Sequence, residues 1–95
     1  MTSKQRAYLR SFCNTLSPIL FIGKEGITEN LLKNADEVLR SKELIKVSIQ
    51  KEAPLETRAT CQAICDATGA FPVQTIGNKF CIYRPNEENP VIVLP

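Results

Sequence analysis

Between residues 19 and 50 the chain runs through an apolar stretch that stops at a glycine, a segment of helical periodicity and an alternating segment. "ILFI" (19–22) contains no polar residue, as expected of a strand buried in the middle of a sheet. Thr28 is a good helix N-cap, with Glu29 favourably placed behind it in the first turn. Leu31, Leu32, Ala35, Val38 and Leu39 then recur at the spacing of one helix face. In "LIKVSIQ" (44–50), Ile45, Val47 and Ile49 point to one face and Lys46, Ser48 and Gln50 to the other. Strand, helix and strand in this order predict a crossover and a parallel pair.

The flanking segments complete the expectation. Tyr8, Leu9, Phe12, Cys13 and Leu16 share one face of a helix expected from about Lys4 to Thr15, capped by Thr2 or Ser3 and ended by Pro18. Pro54 and Leu55 are expected to open a third helix that runs to Thr68 and stops at Gly69. "FPVQTIG" (71–77) and "KFCIYR" (79–84) read as a hairpin around Gly77-Asn78, with Pro72 at a strand start or on an edge. The tail "PNEENPVIVLP" is polar and then apolar, fit to dock as a short extended segment. The expected fold class is α/β, one compact domain over residues 1–95. Its order is α-β-α-β-α-β-β, with a four-stranded mixed sheet and the last strand antiparallel. Ninety-five residues suffice for one core and not for two.

Composition removes several functions. The chain has no histidine, which excludes a histidine base or nucleophile and any histidine-containing zinc site. Cys13 and Cys81 are isolated, and only Cys61 and Cys65 lie close together, sharing a helix face with Ile64 and Thr68. That is the pattern of core thiols rather than of a metal site. No metal and no cofactor are expected. Without a secretory signal or an apolar run near the ~20 residues of a membrane helix, a cytoplasmic protein without disulfides is the default.

The net charge of +2 is small, but its distribution is uneven. Residues 1–24 carry Lys4, Arg6, Arg10 and Lys24 and no acid. Residues 1–48 carry a net +3 and residues 49–95 a net −1. The N-terminal half therefore builds one basic face, which is either a nucleic-acid contact or a solvated surface. Lys42 and Glu43 read as ordinary solvated charges.

"FIGKEGITENLL" (21–32) carries the sharpest local signal. Gly23 lets the chain leave the strand at an angle closed to other residues, and Gly26 lets another backbone approach. The turn feeds a helix N-terminus, whose free amides favour an anion, and Lys24 adds a mobile cation at its tip. The string lacks the third glycine of a dinucleotide fingerprint and the Gly-Lys-Ser/Thr of a P-loop. A tight turn and a phosphate cradle both fit it.

"LSPILFIGKEGITENLL", "ELIKV", "ATGAFPVQTIG" and "KFCIYRP", in this order over nearly the whole chain, resemble the CRM domain family (chloroplast RNA splicing and ribosome maturation). The similarity is to its small single-domain bacterial members. The resemblance implies a fold like the C-terminal domain of bacterial translation initiation factor 3. It also implies RNA binding through the loop Gly23, Lys24, Glu25 and Gly26, in the manner of the KH-domain loop of the same pattern. Glu25 stands where the family often has glycine or a base, and Asn78 where a base is common. A carboxylate at Glu25 repels a phosphate unless it points away.

The expected function is a non-catalytic, monomeric RNA-binding protein acting on large-subunit ribosomal RNA during assembly, which is what the resemblance implies. The RNA-contacting residues are expected to be Gly23, Lys24, Glu25, Gly26, Lys4, Arg6, Arg10, Lys46 and Arg84. Tyr83 is a stacking residue if exposed and a core residue if buried. The competing classes are a protein-interaction module and a protein that binds a small phosphorylated ligand, as an enzyme or otherwise, with the same loop. An enzyme lacks paired acids near the loop.

Overall fold

The computed structural model describes residues 1–51, 53 and 55–95. Three helices, α1 (Ser3–Cys13), α2 (Glu29–Lys42) and α3 (Thr57–Thr68), alternate with strands β1 (Leu20–Ile22), β2 (Leu44–Ile49), β3 (Phe71–Ile76) and β4 (Lys79–Tyr83). This is the expected α-β-α-β-α-β-β order. Each helix start has its own local cause. Thr2 and Gln5 form a reciprocal capping box on α1, both bonds 3.1 Å. Thr28 caps α2 by accepting from the Leu31 amide at 3.1 Å. The α3 cap is Glu56, whose carboxylate accepts from the Ala59 amide at 2.8 Å and the Arg58 amide at 3.1 Å. These bonds hold the Glu56 pKa below its ordinary value. The third helix therefore starts later than expected: Leu55 precedes it, and Pro54 lies outside the described residues. Gly69 ends α3 at φ +77°, a conformation open to glycine at little cost.

The strand order is β1-β2-β4-β3. β1 and β2 are parallel, and β4 runs antiparallel between β2 and β3. "ILFI" is thus an edge strand, not a central one, because β4 takes the inner place beside β2. Leu20 and Ile22 are buried, and Phe21 stands outward at 54% exposure. β3 is the other edge, and Pro72 with the register break before Gln74 sits on it. At the hairpin Gly77 takes φ +59° while Asn78 does not take positive φ, the sign pattern of a type II′ turn.

The two faces of the sheet hold separate cores. Ile45, Val47, Ile49, Phe80 and Ile82 pack under α2 and α3 with Ala35, Leu39 and Ile64. Leu44, Cys81, Tyr83 and Val73 pack under α1 with Leu9 and Cys13, and Leu16, Ile92 and Leu94 border them. Tyr83 is therefore a core residue, and the tail docks beside α1. All four cysteines are buried free thiols. Tyr8 and Phe12 leave the expected buried face and form an exposed edge-to-face pair, with centroids 5.1 Å apart.

The C-terminal end of α2 is sealed. Glu43 follows the helix at φ +66° with 0% exposure, so it is not the solvated charge its sequence suggests. One carboxylate oxygen accepts from the Ile92 amide at 2.6 Å and the Val91 amide at 2.7 Å. The other accepts from the Asn86 amide at 2.6 Å. Burial works to raise this carboxyl's pKa, but the three amides together hold it below the ordinary value. The backbone of Glu43 accepts from the Arg84 amide at 2.9 Å. One side chain thereby fixes the approach of the last ten residues.

Candidate functional site

At the N-terminal end of α2 the backbone is open. The Gly26 amide donates to the Gly23 carbonyl at 3.0 Å, closing a four-residue turn with Lys24 and Glu25 at its exposed corners. Neither corner takes positive φ, and Gly26 takes +73°, which is the sequence logic of a type I turn with glycine last. The conformational demand falls on Gly26 rather than on Gly23. A Cβ at Gly23 would meet only the Gln50 side chain, at 3.9 Å, so the protein's own packing leaves room there. A turn ending in a left-handed residue aims successive amides at a common point, a concavity suited to an anion. The Thr28 side chain takes the Leu31 amide; the Glu29 and Asn30 amides belong to the first turn of the helix, which has no intrahelical acceptor for them. The cleft, about 570 Å³, is lined by this loop together with Phe21, Asn30, Asn34 and Gln50. Lys24 and Glu25 offset each other's charge, so attraction here rests on the amides and the helix dipole.

The other expected contacts do not gather at the loop. Lys46 lies half-buried on the α1 face of the sheet, lining a hollow of about 320 Å³ with Asn14, Gln74 and Lys79. Arg6 and Arg10 are exposed and line a groove of about 610 Å³ beside β3, at the far edge of the sheet. Lys4 is exposed in the first turn of α1 and lines neither the cleft nor the groove. Arg84 belongs to the fold. Its guanidinium donates to the Asp36 carboxylate at 2.6 Å, to the Thr68 carbonyl at 2.9 Å and to the Asp36 carbonyl at 3.0 Å. Its side chain is 20% exposed, so it is withdrawn from the contact set. The bond from Arg84 keeps the Asp36 carboxyl below its ordinary pKa.

Residues 1–84 match the model of the CRS1 / YhbY (CRM) domain. The chain belongs to the CRM domain family. Bacillus subtilis YqeI, named a probable RNA-binding protein, is 37% identical over 95 residues, covering 100% of this chain and 99% of its own. A Haemophilus influenzae RNA-binding protein is 34% identical over 88 residues, 93% of this chain and 89% of its own. The solution structure of Staphylococcus aureus SAV1595 superposes with a TM-score of 0.84 at 40% identity, covering 100% of this chain and 99% of that one. The CRM family match ends where the tail held by Glu43 begins.

In this CRM domain, three polar or aromatic residues escaped the sequence reading. Arg58 joins Arg6 and Arg10 in the groove. Its signal is a base in the first turn of a helix, but that turn is visible only once Glu56 is known to be the cap. Phe21 and Lys79 face the open part of the sheet, in one cross-strand row with Ser48 and Ile76. An all-apolar strand gives no indication of which residue faces outward.

Proposed function

We propose that this CRM domain binds RNA as a non-catalytic monomer in the cytoplasm, with large-subunit ribosomal RNA or its precursor as the target during assembly. The observation that carries the reading is the open turn Gly23–Gly26 feeding the start of α2. The turn backbone, the space beside Gly23 and Lys24 border there a cleft with room for a phosphodiester. Membership of a family with relatives named as RNA-binding proteins supports it, as does the CRM match itself. Phosphate contacts of this kind position the RNA without reading its bases. Phe21, on the wall of the same cleft, supplies a face on which a base stacks. Glu25 occupies the second corner of the turn, solvent-exposed; its carboxylate lowers affinity without closing the amide concavity.

The test is sedimentation of host lysate through a gradient at low and moderate salt. Co-migration with free large subunits or their precursors, reduced by salt and by Lys24→Asp, is the expected result. A protein that stays at the top at both salts refutes stable association with ribosomal particles.

A further inference from the structure

We infer that the groove between α1, α3 and the free edge of β3 is a second phosphate site, which takes the backbone of a single RNA strand through Arg6, Arg10 and Arg58. The inference rests on the RNA-binding reading above and adds a site that is spatially separate from the loop.

Three observations carry it. The first is charge. Two arginines of α1 and one of α3 line the groove, and among the described residues no carboxylate does. Among the described residues the ion pairs are Arg40 and Arg84 with Asp36, so none of the three is neutralised by a pair. The two nearby acids are already engaged: Glu56 caps the α3 amides and attracts Arg58 from there, and Asp66 accepts from Gln62 of the groove wall at 2.8 Å.

The second is placement against the fold's own electrostatics. Arg6 and Arg10 stand one turn apart on the same helix, where like charges repel. Arg58 sits in the first turn of α3, at the positive end of that helix dipole. The first arrangement is unfavourable in the free protein and the second is offset in part by the Glu56 cap; a bound anion stabilises both.

The third is the nature of the edge. β3 has one neighbour, β4, so its outer side is unpaired. Pro72, which has no amide hydrogen, and the register break before Gln74 lie along this edge, blunting it against an added strand. What the groove offers is guanidinium groups with the polar side chains of Gln74 and Thr75. These donors fit phosphates rather than a peptide ladder.

The loop continues β1 and the groove borders β3, with β2 and β4 between them. Three interstrand spacings separate the sites by at least about 14 Å. The cross-strand row Phe21, Ser48, Lys79 and Ile76 runs between them on the α1 face of the sheet, next to the row of Lys46, Cys81 and Gln74. Phe21 and Ile76 are 54% and 61% exposed, so that path is open.

The test is a salt titration of binding to a labelled single-stranded RNA of about 16 nucleotides. It compares wild type, Lys24→Asp, the triple variant Arg6→Gln/Arg10→Gln/Arg58→Gln and a control triple, Lys33→Gln/Lys42→Gln/Lys51→Gln. All substituted side chains are exposed, and urea midpoints check that each variant is folded. The arginine triple is expected to lose about tenfold or more in affinity at low salt and to lower the slope of log affinity against log salt by about two. The control triple is expected to change the slope by much less. An arginine triple that binds with the wild-type slope, while Lys24→Asp binds weakly, overturns the second site and leaves the RNA reading standing. Equal losses from the two triples also overturn it, since the effect is then the general field of the protein. A wild type that binds no RNA overturns both.

Discussion

The two ends of α2 are built to opposite ends. At its N-terminus the backbone borders an open cleft, lined by the Gly23–Gly26 turn with its left-handed Gly26 and by the start of α2. At its C-terminus the chain is tied down: Glu43 is fully buried and holds three tail amides, and Arg84 ties α2 to the end of α3. On the proposed reading, one helix separates recognition from stability along its own axis. Orphan amides at an exposed helix start are satisfied by water and exchange it for an anion at little cost. A buried carboxylate holding three amides has no such alternative partner.

The largest effect should come from breaking the closed end. Glu43→Ala leaves the Asn86, Val91 and Ile92 amides without their acceptor and is expected to cost about 3 kcal/mol in urea unfolding. Amide exchange at those three positions should accelerate with it. The Glu43 contact and the Arg84–Asp36 pair together predict a pH dependence. Because the folded Glu43 and Asp36 values lie below their ordinary 4.5 and 3.8, the unfolded chain binds protons first as pH falls. Their stabilisation is complete above about pH 5 and disappears as pH drops through the folded values. A urea midpoint that rises on acidification from pH 5 to pH 3 would contradict this.

Arg84→Ala should come next, at about 2 kcal/mol, since three bonds to Asp36 and Thr68 are lost from a partly exposed site. Arg84→Lys should recover less than half, because a point charge does not replace the planar fork. Neither should change RNA affinity at temperatures where the variants are folded; a large loss would return Arg84 to the contact surface.

At the open end the signs reverse. Lys24→Asp should leave the urea midpoint unchanged and weaken RNA binding about tenfold, equivalent to about 1.4 kcal/mol. Gly26→Ala should cost about 1 kcal/mol of stability through its left-handed backbone. Gly23→Ala sharpens the comparison most finely. With its nearest contact at 3.9 Å and no positive φ, it should barely move stability, yet weaken binding several-fold by filling the gap a phosphodiester enters. Stability loss at Gly23 equal to that at Gly26 would mean that both glycines serve the turn alone.

Much of this architecture was legible locally. The Thr28 cap, the alternation of Ile45, Val47 and Ile49, the Gly69 stop and the Gly77-Asn78 hairpin each follow from neighbours a few residues apart, and the structure has all of them. The glycine turn was legible too, although its strained position is Gly26 and not Gly23. What could not be read depends on partners far along the chain. Glu43 beside Lys42 looks like surface charge until Val91 and Ile92, 48 and 49 residues away, arrive to bind it. Arg84 looks like a basic contact until Asp36, 48 residues back, claims it. "ILFI" reads as central because apolarity reports burial, while the place of a strand in the sheet is decided by where β4 inserts.

The central claim is that the exposed start of α2 holds the RNA backbone while its sealed end does not. The direct measurement is a backbone-amide NMR titration with single-stranded RNA. The amides of Lys24, Glu25, Gly26, Glu29 and Asn30 should shift in a saturable, salt-sensitive manner, and those of Asn86, Val91 and Ile92 should stay in place. Bound RNA that leaves the five loop and helix-start amides unmoved would contradict the claim.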